Sequence, residues 1–425
     1  MDGTVKRTPL HGWHCANQAN MANFGGYEMP LWYAGGTREE HMAVLTSVGL
    51  FDTSHMAVVL VDGGGAFSLL QECFSKDLSR CIGKDQTPIA PGRAVYGVFL
   101  DDNGHVIDDA LVYMLAENSY MVCVNAGMGS AIAAAMEPYA DGRLAVITDL
   151  TDCLGKIDIQ GPVAAKVLGQ ILESPESAFE KMPYFTFKGH FDARSPEAGA
   201  VRLKDGTPIL LSRTGYTGEF GFEIFITPDA CESVWKALLE AGAPFGITAC
   251  GLASRDSLRA GAVLPLSHQD IGDWPFVNNP WSFTLPLTDD GSDFTKQFRG
   301  SAAIKSPSMP TWTLPFAGFD PRKIPAGASS GVLDADGKSI GTILTCTTDV
   351  SIGRHDGEIV SLVAGNAPEG AKIRGLSCGF VKLVRPVDVG EIVVLTDGKR
   401  KVKVEIVSDI RPGRTARRPM ARMVV

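Results

Sequence analysis

Cysteine never forms a motif in this chain. The nine cysteines are scattered singly, with an odd count and no Cys-x-x-Cys. That excludes a disulfide framework and a zinc knuckle. No second histidine stands at metal-ligand spacing from His55, and no metal is expected. Gly63-Gly64-Gly65 is not followed by Gly-Lys-Ser/Thr, which excludes a phosphate loop. No apolar run approaches the roughly 18 residues of a membrane helix. The start, Met1 to Arg7, lacks the apolar stretch of a signal peptide, so the expected location is cytoplasmic. The net charge is -9, and base gathers only between Arg411 and Arg422. That tail reads as a solvated terminus rather than a nucleic-acid surface. What is present is ordinary for a globular protein: 45% hydrophobic and 20% charged residues over 425 positions. This length holds two or three domains.

The most informative stretch is a hairpin. Gly92 to Leu100 and His105 to Tyr113 are apolar runs joined by Asp101-Asp102-Asn103-Gly104, and Asn-Gly between β-type runs signals a tight turn. The second strand carries two acids, Asp108 and Asp109, among valine, isoleucine, alanine and leucine. Strand neighbours face opposite ways, so the two carboxylates are expected to diverge, with Asp108 on the side of Val106 and Ala110. An acid there needs a donor or a ligand. It is either a structural acid capping nearby amides or a functional one.

Other elements follow from pattern. Residues 37–48 read as a helix with Thr37 as N-cap and Glu40 completing a capping box. Residues 66–73 read as a helix, and 120–124 as a strand ending at Asn125. Lys156 to Gln160 reads as a strand followed by a helix opened at Pro162. Further helices are expected near 229–241 and 251–259, where Arg255 and Arg259 share a face. From 312 onward, short apolar runs alternate with Gly or Asp turns, as in a small barrel.

Five segments, in order, carry a resemblance. They are Gly26-Tyr27-Glu28-Met29-Pro30 with Phe51-Asp52-Thr53-Ser54-His55-Met56, the hairpin, Gln160-Gly161-Pro162, Arg213-Thr-Gly-Tyr-Thr-Gly-Glu-Phe-Gly-Phe-Glu223, and Gly251 to Arg259. Together they resemble the glycine-cleavage T-proteins (aminomethyltransferases) and their tetrahydrofolate-dependent relatives. The resemblance implies an α+β fold. Two intertwined α/β subdomains would bind folate within residues 1–290, a linker would span 291–311, and a β-barrel would occupy 312–425. It implies Asp108 as the catalytic acid and Met56 and Asn125 beside the folate. Glu223 would grip the aminopyrimidinone edge of the pterin through both oxygens. Arg255 would neutralise Glu223 or meet the pterin carbonyl, Tyr216 would pack on the folate, and Tyr96 and Tyr113 would line the channel. His55 reads as a hydrogen-bonded core histidine. The implied partner is lipoylated H-protein, and the expected assembly a monomer or weak homodimer.

The chain departs from that family after Arg259. A glycine, Gly261, stands where the family has an acid, the stretch Pro265 to Trp281 is unlike it, and so is Asp409 to Thr415. These departures fall on the donor side. They keep open a tetrahydrofolate-dependent methyltransferase acting on a small O-, S- or N-methyl donor, with Trp274 and Trp281 as donor-setting residues.

Overall fold

The computed structural model describes residues 5–371 and 373–424. Two sheets carry the first three hundred residues. One has five antiparallel strands in the order Arg93–Leu100, Val106–Ala116, Ser119–Val124, Ala57–Asp62 and Val146–Asp149. The other is mixed, in the order Phe187–Gly189, Leu210–Ser212, Gly221–Ile226, Gly155–Gln160, Gly49–Asp52 and Thr248–Cys250. Only the last pair there is parallel.

Each sheet covers one face with helices. Ala66–Cys73 and Gly129–Ala140 pack with Val59, Val112 and Val122 of the first sheet. Ala164–Ile171 and Cys231–Gly242 pack with Ile157, Ile159 and Ile224 of the second. Each such buried aliphatic side chain contributes roughly 1.5–3 kcal/mol. The remaining faces meet one another: Val58, Tyr113 and Cys123 from one sheet pack with Phe187, Leu210 and Phe225 from the other.

The hairpin forms where its turn chemistry requires. Gly104 has φ +75°, a conformation that costs glycine nothing. The Asp101 carboxylate accepts hydrogen bonds from the amides of Asn103 and His105 at 2.9 Å. The register shifts between Phe99 and Leu100, leaving Phe99 opposite Asp108 and Leu100 opposite Val106. Burial alternates along the second strand, with Val106, Asp108 and Ala110 buried and Ile107, Asp109 and Leu111 half-buried.

One helix start differs from expectation. The helix spans Gly36–Thr46 and has no side-chain cap, so Thr37 lies inside it. Glu40 builds no capping box. Its carboxylate accepts from the amides of Tyr33 (2.7 Å) and Gly251 (2.9 Å) and from Ser254 Oγ (2.8 Å). It therefore ties this helix to the helix Leu252–Gly261, because three long-range donors satisfy a buried acid better than one local amide.

The last sheet is a closed six-stranded barrel running from Trp312–Gly318 to Lys401–Ile406. The stretch 291–311 holds the helix Ser301–Lys305. It buries Phe298 and Ile304 in a cluster with Leu100 of the hairpin, Trp281, and Phe380 of the barrel.

Candidate active site

The expectation that the two hairpin acids diverge is not met. The backbone obeys the alternation, yet both carboxylates reach Asn125. Its Nδ2 donates to Asp108 Oδ1 at 2.8 Å and to Asp109 Oδ1 at 2.6 Å, and its backbone amide donates to Asp108 Oδ2 at 2.8 Å. The register shift beside Asp108 and the position of Asn125 at the end of the neighbouring strand bring the side chains together. Tyr96 stands opposite Leu111, so its hydroxyl lies on the Asp109 face and donates to Asp109 Oδ2 at 2.6 Å. Burial and the neighbouring Asp109 charge push the Asp108 carboxyl up to about 7. Burial also raises Asp109, against the hydrogen bonds from Tyr96 and Asn125.

The second sheet contributes a charge-matched cluster. Asp158 lies directly opposite Glu223, and Lys156 is two residues earlier on the same face. Lys156 Nζ donates to Asp158 Oδ1 at 2.7 Å and to Glu223 Oε1 at 2.6 Å. Arg255 Nη1 donates to Asp158 Oδ2 at 2.7 Å. Arg255 therefore neutralises Asp158, and Lys156 takes the Glu223 role expected of Arg255. Burial alone would raise Asp158, but Lys156 and Arg255 outweigh it and hold the carboxyl below its usual range. Asp158 and Glu223 in turn hold Lys156 above its usual value, against burial. The Arg255 guanidinium also lies 4.9 Å from the centre of the Tyr216 ring, within cation–π range.

Between these two groups lies a cavity of about 1060 Å³. Met56, Tyr96, Asn125, Tyr216, Glu223 and Arg255 all line it. Asp108 does not: it has no exposure, and Asp109 occupies the wall instead. Tyr113 is also behind the wall, fully buried against Phe187 and Phe225. Its hydroxyl supports Glu223 from 3.4 Å rather than lining a channel. The Tyr216 hydroxyl is spent on the Pro265 carbonyl. His55 lines the cavity but finds no partner for Nδ1, and burial lowers its pKa to about 4. Its ring is held edge-on by Phe24 and Tyr27.

Beyond Tyr216 the wall is built by the stretch 262–283 and by the tail. Trp281 lines the cavity, donates through Nε1 to the Val263 carbonyl at 2.9 Å and packs on Phe380. Trp274 stays outside, with Lys382 Nζ 4.0 Å from its ring centre. Arg259 is buried in an ion pair with Asp270 and donates to Thr345 Oγ1 of the barrel at 2.9 Å. The basic tail is solvated only in part: Arg417, Arg418 and Arg422 are exposed, and Arg411 is not. Arg411 is buried, pairing with Asp349 at 2.7 Å and Glu219 at 3.3 Å, and residues 408–417 reach the cavity. Gly261 has a physical reason: a β-carbon there would overlap the Asp349 carboxylate and crowd Arg411 Nη1. The barrel thus brings an acid to the place from which the helix lacks one.

Sequence reading gave no site role to Lys156 or Asp158, took Asp109 as the acid turned away from the site, and took Arg411 as solvated. The Lys-Ile-Asp-Ile-Gln alternation was the available signal for Lys156 and Asp158. Polar side chains at strand period among isoleucines mark a face that buries charge. Among the described residues no cluster of His, Cys, Asp and Glu could hold a metal, no helix is long and apolar enough to cross a membrane, and all nine cysteines are free.

Known proteins are similar to this chain in sequence and in fold. The profile of the GCVT N-terminal domain family covers residues 10–274. The aminomethyltransferase of Deinococcus deserti is 33% identical over 85% of this chain and 90% of its own length. That of Streptomyces coelicolor is 32% identical over 82% and 87%. That of Streptomyces avermitilis is 36% identical, over 63% of this chain and 65% of that protein. In three dimensions the glycine cleavage system aminomethyltransferase T of Bartonella henselae superposes with a TM-score of 0.74, covering 98% of this chain and 99% of that one at 24% identity. The fold is therefore shared end to end, and the chain belongs to the glycine-cleavage T-protein family, the aminomethyltransferases.

Proposed function

We propose that this chain transfers the methylene carbon of an aminomethyl group on lipoylated H-protein to tetrahydrofolate, with release of ammonia. The observation that carries the reading is the cavity itself. One wall exposes Glu223 from the mixed sheet and another exposes Asp109 from the antiparallel sheet. A flat pterin fits such a chamber: Met56, Leu111 and Cys123 offer apolar wall, and Glu223 offers an acceptor for the N–H groups of the aminopyrimidinone edge. Glu223 Oε1 is engaged only by Lys156, leaving one lone pair free. Oε2 already accepts from Thr214 and, at a long 3.4 Å, from Tyr113. A two-point grip therefore requires the weak Tyr113 contact to yield. Arg255 uses Nη1 on Asp158 and has further N–H groups for the pterin carbonyl.

Tetrahydrofolate, when bound, supplies the nucleophilic nitrogen. Asp109 faces the cavity, held by Tyr96 and Asn125. A fixed carboxylate there stabilises positive charge developing on that nitrogen and takes its proton. Asp109, not Asp108, is thus assigned the contact with substrate, and Asp108 stands behind it. The functional unit is the region 1–290 completed by the tail, with the barrel supporting both.

The test is an assay with tetrahydrofolate and aminomethylated H-protein, run beside a panel of O-, S- and N-methyl compounds. Ammonia and methylene-tetrahydrofolate formed only with both substrates is the expected result. Turnover of a methyl compound with none of aminomethylated H-protein would replace it with the second reading, demethylation of a small donor. The wall built by Leu264, Leu266, Pro280, Trp281 and Phe283 favours that reading, since it is apolar where the donor would enter.

A further inference from the structure

The hairpin pair has a property that neither acid has alone. Two carboxylates meet on a single side-chain amide, and among the described residues no lysine or arginine donates to either. The nearby cations are committed: Lys156 to Asp158 and Glu223, Arg255 to Asp158. The titratable groups facing the pair are Tyr96 on the adjacent strand, Tyr216 on the turn from the mixed sheet and His268 on the stretch 265–281. Two like charges without a counter-ion in a shared buried place do not both persist.

We propose that the hairpin pair holds a single negative charge up to neutral pH, with the shared proton on Asp108 and the charge on Asp109. Each acid accepts two hydrogen bonds, so donors do not decide between them. Solvent does. Asp108 has no exposure, whereas Asp109 opens on the cavity, and desolvation costs the enclosed charge more. The Ser267 hydroxyl lies beside Asp108, is buried and has no other partner; donating, it favours the charged acid, and rotated it accepts the proton of the neutral one, so it does not decide between the two forms. The upward push on Asp108, to about 7, agrees in direction and cause. Asp108 is then a positioning residue that acts through Asp109. That consequence for turnover rests on the proposed folate reaction, while the protonation state does not.

The experiment has two readouts on the full-length protein. Infrared titration without substrate should show a protonated carboxyl band that disappears as pH rises through about 7. The band should be absent in Asp108→Asn. In Asp109→Asn it should persist but titrate at lower pH, because the repelling charge is gone. A band retained in Asp108→Asn and lost in Asp109→Asn would put the proton on the wrong acid, and no band titrating near neutrality would remove the proposal. In turnover, the wild type should show a break near pH 7. Asp108→Asn mimics the neutral acid and should lose that break in the pH profile. A break that survives in Asp108→Asn and vanishes in His268→Gln would assign it to the histidine and overturn the link. The expected infrared result with no folate-dependent turnover would sink the proposed reaction and leave the protonation state standing. Should Asp108→Asn not fold, the lowered titration of the band in Asp109→Asn decides alone.

Discussion

The two walls of the cavity treat negative charge in opposite ways. On the mixed sheet, Asp158 and Glu223 each meet a cation, and Lys156 and Arg255 hold the set neutral. On the hairpin, Asp108 and Asp109 meet an amide, a tyrosine and each other. A matched cluster fixes its protons and offers a constant pattern to a ligand. An unmatched pair leaves one proton exchangeable. Binding therefore belongs to the first wall and proton transfer to the second.

The comparison breaks first at Lys156. Lys156→Met leaves two buried acids short of a cation, and breaking a buried pair costs about 3–5 kcal/mol. Urea unfolding should show a loss of that size. A loss below about 1 kcal/mol would mean that the cluster is not a matched set. Next comes Asp109. Asp109→Asn removes the charge that faces developing positive charge, which costs on the order of 10²-fold in turnover, about 3 kcal/mol. Tetrahydrofolate affinity by calorimetry should change little, since the ground-state amine is neutral. Full activity in this variant would show the hairpin acids to be structural.

Glu223→Gln sharpens the other side. A charged hydrogen bond contributes about 1.5–3 kcal/mol, so tetrahydrofolate affinity should fall roughly tenfold or more while the pH profile of turnover keeps its shape. A changed profile with unchanged affinity would exchange the roles of the two walls. The smallest effect is expected at Trp274, which touches neither wall. Trp274→Ala removes a contact with Lys382 of about 0.5–1 kcal/mol together with packing against the apolar cluster that holds Ile271 and Phe276, and should leave the apparent constants of both substrates alone. A shifted donor constant would place that indole nearer the chemistry than its packing suggests.

Much of this was legible in the residues, and the gaps have physical causes. The hairpin, its turn and the helices near 37–48, 66–73, 162–171, 229–241 and 251–259 follow from period and punctuation, whereas the helix Gly129–Ala140 was not read. Alternation correctly put Asp108 with Val106 and Ala110. The same alternation puts Asp109 with Leu111 and Tyr113, on the face that turns toward the other sheet. What alternation could not show was which face held the cavity, nor that Asn125 would gather both acids from a neighbouring strand. Glu40 was read locally because Thr37 precedes it, whereas two of its three partners, Gly251 and Ser254, lie more than two hundred residues away. Arg411 was read as solvated because its acids, Asp349 and Glu219, come from distant elements. Ion pairs across long sequence separations leave no periodic trace.

The tail has a consequence for the order in which the molecule is made. Arg411 donates to the Thr217 carbonyl, the Thr415 hydroxyl donates to Glu219 at 2.6 Å, and the carbonyls of Ala416 and Arg418 accept from Arg213. All of these lie on or beside the turn that presents Tyr216 to the cavity. During synthesis that turn emerges some two hundred residues before its support. A ribosome-bound chain can complete both sheets and still have an open chamber, with Glu219 and Asp349 facing no arginine. The wall closes only when the chain has passed through the barrel and returned. A chain cut short after the barrel would keep its last strand, Lys401–Ile406, and lack the part of the chamber wall that Asp409, Arg414 and Arg417 build.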